Sequence, residues 1–269
     1  MRRRTYLMSV FCLCSVLCVP VFAEKKSDPK PAGEEVEMFS AIGSGAIEVK
    51  MIPQDSKGGN LIIKNKSDKP LTIKLPEAFA GVPVAAQFGG GGGQFGGGGG
   101  QFGGGGGNQG IGGGFGGQQG GGGGQFGGGG GGGGFFNVPA GKEGKMKFVA
   151  VCLEHGKKDP TPNVAYEIKP LESFTTNPDV IELVKMFGRG EIDARLQASV
   201  QAAVWHHANG LSWEELARKI GVKHLDGSTE PYFQSAQLEQ ALRMSKEAER
   251  RTEDQKSKSS SKANSLSNR

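Results

Sequence analysis

Four cysteines and four histidines are the residues of this chain that invite a chemical reading, and their spacing removes most of it. Cys12, Cys14 and Cys18 lie in an N-terminal apolar run, so Cys152 is the one thiol in the body of the sequence. An odd thiol forms no intramolecular disulfide, and it reads either as a small packing residue or as a nucleophile in need of a partner. His206 and His207 are adjacent and would stand about 100° apart on a helix, so they do not present one metal-binding face as an i, i+4 pair does. His155 and His224 have no cysteine or spaced carboxylate beside them, and neither a metal nor a cofactor is expected. The glycine-rich stretch is not a phosphate loop, because no Gly-Lys-Ser/Thr follows it and it does not join a strand to a helix. Glu214 and Glu215 sit at a capped helix start, where the helix dipole accounts for them. No cluster of titratable residues suggests a turnover enzyme, so the sequence reads as an interaction protein.

Two kinds of material surround these residues. Of the 48 glycines, 34 fall within residues 89–134, a stretch with too few side chains to offset its ordering entropy by burial. It is expected to be a disordered insertion. Within it Gln87-Phe88, Gln94-Phe95 and Gln101-Phe102 recur every seven residues, and Gln125-Phe126 repeats the theme. Runs of five glycines exclude a helical heptad, since each forfeits about 1 kcal/mol of helix propensity against Ala. Phe88, Phe95, Phe102 and Phe126 are candidate contacts for weak adhesion or self-association.

Short β-rich runs flank the insertion. Residues 46–52, 60–64 and 71–75 are separated by Asp-Ser-Lys-Gly-Gly and Lys-Ser-Asp-Lys-Pro turn chemistry, a fourth candidate spans 82–86, and β character resumes at 135–138 and 145–153. Period two puts Cys152 on one face with Met146, Phe148 and Ala150, a core-like face. Helices follow. Asn177-Pro178-Asp179 supplies an N-cap, an N1 proline and an acidic first turn, and Gly188 ends that helix. A second runs from about 191–193 to Asn209-Gly210 with Leu196, Val200, Ala203 and Val204 on one face. Ser212-Trp213-Glu214-Glu215 is a capping box opening a third, and a fourth is expected from 228–231 toward Glu253. The expected fold class is α+β: a small, sandwich-like antiparallel β subdomain interrupted by the disordered loop, then a subdomain of three to four helices. One domain over residues 41–254 is expected, between a flexible leader at 24–40 and a disordered charged tail at 255–269.

The N-terminus addresses the chain outward. Arg2, Arg3 and Arg4 precede an apolar run to Phe22, and Val21-Phe22-Ala23 completes a secretory signal peptide over residues 1–23. The expected location is secreted, or periplasmic and cell-envelope, with no transmembrane segment in the mature chain. Removing those three arginines from 32 basic residues leaves 29 against 27 acidic ones, a net charge of +2. So even a charge balance does not mark a nucleic-acid binder. The expected partner is an extracellular or cell-surface macromolecule.

One further pattern pairs the thiol. Gln201-Ala202-Ala203-Val204-Trp205 resembles the Gln-x-Ala-(Ile/Val)-Trp helix motif of bacterial surface thioester domains. Val151-Cys152-Leu153, with Asp159-Pro160 and Tyr166 beyond, resembles their cysteine strand. The resemblance covers about residues 145–217, and this chain carries Val200 where the family usually has Thr. It implies that Cys152 and Gln201 condense, with loss of ammonia, into an internal thioester that a target amine or hydroxyl attacks, attaching the protein covalently. Ala203, Val204 and Trp205 would support the pair. Without that chemistry the same sequence describes a non-covalent binding module, with adhesion carried by the Phe-bearing loop.

Overall fold

Cys152 lies on the longest strand of a six-stranded closed barrel. The computed structural model describes residues 33–84, 107–116 and 134–267, with side chains to residue 261. The strands are β1 (Glu34–Glu37), β2 (Ile47–Asp55), β3 (Gly58–Asn65), β4 (Leu71–Lys74), β5 (Phe79–Pro83), β6 (Ile111–Gly114), β7 (Phe135–Val138), β8 (Glu143–Cys152), β9 (Tyr166–Pro170), β10 (Ile220–Lys223) and β11 (Thr229–Pro231). The helices are α1 (Met38–Gly43), α2 (Pro178–Gly188), α3 (Gln197–Asn209), α4 (Trp213–Arg218) and α5 (Ser235–Ser267). The fold is α+β with mainly antiparallel sheets, β1 and β4 being paired in parallel, and a C-terminal helical region. Its β part closes in the order β2-β3-β8-β6-β5-β9, with every pairing antiparallel, instead of facing two layers across a sandwich. A separate sheet, β1-β4-β7, lies outside the ring.

Closure depends on a strand from the glycine-rich segment, which corrects the expectation of disorder for the part that is described. β6 pairs β5 on one side and β8 on the other, and Ile111 is fully buried. The seven-residue repeat breaks at Asn108-Gln109-Gly110-Ile111, and these side chains anchor the entry to β6. Asn108 and Gln109 donate to the backbone and the carboxylate of Asp159, and the Gly110 N–H donates to Glu154 Oε2 at 2.8 Å. The Tyr166 hydroxyl donates to the Gln109 carbonyl at 2.8 Å. Glycine serves here for close approach: a Cβ on Gly114 would overlap Gly188 Cα at the end of α2. Residues 89–106 and 117–133 lie outside the described residues, as do Phe88, Phe95, Phe102, Phe126 and the signal segment.

Two other expectations about the ends are corrected. Part of the leader, Glu34 to Gly43, forms β1 and α1, because Glu37 caps α1 through the Ser40 N–H and Met38 and Ala41 bury in the core. The charged tail continues α5 to Ser267. Glu247 pairs with Arg250 and Arg251, and Arg250 with Asp254, at the i, i+3 and i, i+4 spacings that reinforce a helix already nucleated. α5 also starts later than expected: Asp226-Gly227 turns a hairpin, β10–β11 occupies 220–231, and the helix begins at Ser235.

α2 matches its sequence reading, with Asn177 Oδ1 accepting from the Asp179 and Val180 N–H groups. α3 differs. Instead of one apolar stripe, the whole run Ser199 to Trp205 is buried, because β8, α2 and α5 all pack around it. α5 is held there by Glu182, which is 7% exposed and accepts from Arg189, Arg251 and Gln255. Among the described residues no helix is long and apolar enough to cross a membrane.

Candidate functional site

α3 lies along β8 just where β8 loses a neighbour. β3 pairs with β8 only as far as Val149, after which the Ala150 N–H still donates to the Lys57 carbonyl at 2.8 Å. Beyond that point the free edge of β8 faces α3. Gln197 Nε2 donates to the Ala150 carbonyl at 3.2 Å. Four residues later, Gln201 closes two hydrogen bonds on one residue: the Cys152 N–H donates to Oε1 at 2.7 Å, and Nε2 donates to the Cys152 carbonyl at 2.8 Å. Four helical residues advance about 6 Å and two strand residues about 6.8 Å, so a glutamine every fourth residue keeps step with every second residue of the strand.

The pair drawn from the sequence is therefore brought together. Cys152 is 1% exposed and Gln201 is 3% exposed. Register pairs Cys152 with Ile111, and Ile111 with Gly81, whose added Cβ would touch Met51 across the ring. The thiol thus sits on the barrel's inner side, while the carboxamide lies at the strand's edge. Burial pushes the thiol far above its ordinary range, and Asp159, Asp55 and Glu154 add to the effect. Cys152 is consequently not an exposed thiolate of the redox or protease kind. Tyr166 is raised as well, by burial first and then by Cys152, which places its phenol within the thiol's electrostatic reach.

The supporting residues divide. Ala203 and Val204 are fully buried and act by packing. Trp205, 4% exposed, lies one turn beyond Gln201, and its ring meets His155 at 4.7 Å, Tyr232 at 5.5 Å and Phe233 at 5.9 Å between centroids. Its Nε1, with Ser199 Oγ and Gln109 Oε1, is buried without a hydrogen-bond partner among the described residues. Sequence reasoning missed Gln197, although two glutamines at i and i+4 on one helix were a readable signal. It also missed Lys219, whose Nζ lies 2.9 Å from His155 Nε2, because no spacing rule links residues 155, 205, 219 and 232.

A second polar cluster joins the helices. His207 Nε2 lies 2.6 Å from Ser245 Oγ, and Nδ1 lies 3.8 Å from Asp179 Oδ2. The types are those of an acyl-transfer triad, yet Ser245 is 2% exposed and buried between helices, so the cluster fastens α5 to α2 and α3.

No protein-family profile, curated protein or solved structure matches this chain.

Proposed function

We propose that this chain is a secreted cell-envelope or extracellular module of the thioester-domain kind, which attaches covalently to surface amines or hydroxyls through Cys152 and Gln201. The observation that carries the reading is the two-way hydrogen bonding of the Gln201 carboxamide to the Cys152 backbone, in a site closed to water. In the condensation, a bond forms between Cys152 Sγ and Gln201 Cδ, the Cδ–Nε2 bond breaks, and the amide nitrogen leaves as ammonia with the thiol proton. A target amine then adds to Cδ, the Cδ–Sγ bond breaks, and the amine's proton returns to the thiol. Burial protects such a thioester from hydrolysis until a target reaches it.

A second reading rests on the same contacts. Gln201 and Gln197 both supply to β8 the hydrogen bonds of a missing strand, so the glutamines also make sense as edge caps in a purely non-covalent binding module. Intact mass of the secreted protein, without reductant, separates the two. A mass short by one ammonia, raised by one methylamine on treatment to a value one methylene above the plain sequence and mapped to Cys152 and Gln201, is the expected result. A full mass with a Cys152 that alkylates after denaturation overturns the covalent reading.

A further inference from the structure

Beyond Gln201 the seam between α3 and β8 is followed by a group of hydrogen-bond donors. Lys219, at the end of α4, is half-buried, and its ammonium rests 5.4 Å from the Trp205 ring centroid and 5.1 Å from that of Tyr232. It donates to His155 Nε2 at 2.9 Å, which fixes His155 as neutral with its remaining proton on Nδ1. Burial, and then Lys219 itself, lower the His155 pKa, in agreement with that tautomer. No carboxylate of the described residues forms an ion pair with Lys219. Glu215 comes close enough to influence His155, and its Oε2 accepts from the Ser212 N–H and hydroxyl of the capping box. Asp159, which reaches Tyr232 electrostatically, accepts from Gln109 through Oδ1.

The arrangement is therefore rich in donors, and among the described residues none of them is bonded to a carboxylate. Trp205 contributes an indole N–H with no partner among the described residues although the residue is only 4% exposed, and such a group ordinarily finds one. Lys219 contributes a cation without a counter-ion among the described residues, His155 an Nδ1–H and Tyr232 a phenol, and Tyr232, 40% exposed, borders solvent.

We infer that Lys219, His155, Trp205 and Tyr232 form a binding site for a carboxylate, the planar acceptor-only group that would complete the Trp205 N–H and neutralise the Lys219 ammonium. The site is independent of the thioester. Where the thioester reading holds as well, Trp205 stands about one helical turn along α3 from Gln201, so the site favours amines that carry a neighbouring acid.

The test is a titration of the full mature chain with sodium acetate, against sodium chloride at equal ionic strength, read at the indole N–H signals of the nitrogen-15 NMR spectrum. The two tryptophans are told apart with Trp213→Phe. A saturable downfield shift of the Trp205 signal, absent with chloride and weakened about tenfold in Lys219→Gln, is expected. Tyr232→Phe, which keeps the ring, provides a second variant if Lys219→Gln loses signal dispersion, and it should weaken the same shift. An unsaturable shift, an equal response to chloride, or binding unchanged in these variants overturns the site. Repeating the titration on Cys152→Ala separates the two proposals, because acetate binding should persist there while any covalent attachment is lost.

Discussion

Replacing Gln201 by Leu tests the seam on which the site rests. The substitution keeps nearly the same volume in α3, so the cost comes from the strand and not from a cavity. It leaves the Cys152 N–H and carbonyl, now bonded at 2.7 and 2.8 Å, buried without partners. Each orphaned group costs about 1–3 kcal/mol, which gives about 4 kcal/mol for the pair. In a domain of this size that lowers Tm by about 8–16 °C. Gln197→Leu removes two longer bonds, to the Ala150 carbonyl at 3.2 Å and to the Ser56 carbonyl at 3.4 Å, while the Ala150 N–H keeps its partner, so about 1 kcal/mol is expected. Cys152→Ala, which deletes one buried sulfur and no backbone bond, should also cost about 1 kcal/mol. Urea unfolding followed by tryptophan fluorescence, on protein whose mass shows an intact glutamine, gives all three values if the m values agree. A Gln201→Leu variant within about 0.5 kcal/mol of the parent would refute the argument that the carboxamide holds the free edge of β8.

Two further expectations follow from the packing and from titration. Gly114→Ala drives a methyl into the Gly188 backbone and should abolish a cooperative melt or lower stability by more than about 3 kcal/mol; Gly43→Ala, which meets open space, should be neutral or stabilising by up to about 1 kcal/mol, and calorimetry distinguishes them. His207 has its pKa lowered from 6.5, chiefly by burial and with His206 adding, while Asp179 and Glu249 oppose the shift. Below pH 6.5 the unfolded chain therefore takes up the proton first, and the stability His207 contributes is lost as pH falls through its folded value. His207→Gln, which retains a hydrogen bond to Ser245, should flatten that loss in chemical unfolding measured between neutral and mildly acid pH; an unchanged slope would contradict it.

Local physics was legible in the sequence wherever a structure is closed by residues a few positions apart. The N-cap and first-turn acid of α2, the Ser212 capping box and Gly210 at the end of α3, with its φ of 69°, each satisfy helix-end groups within their own turn, and each stands where its residues announced it. The α+β class was readable for the same reason, because strand and helix periodicities occupy different stretches of chain. The pairing of Cys152 with Gln201 came from a resemblance of short motifs, while their contact across 49 positions required the fold. Composition misled where order is supplied from elsewhere. β6 is nearly all glycine and has no strand propensity of its own, yet two ladders, Glu154, Asp159 and Tyr166 hold its ends and edges. The polar end of α5 buries little, and it stays helical by growing from a segment already fixed to Glu182 and Asp179. Only the tertiary structure decided that β3 stops short of Cys152, that α3 fills the gap with two glutamines, and that Lys219 meets His155 and Trp205, because these contacts are made by residues that no sequence period connects.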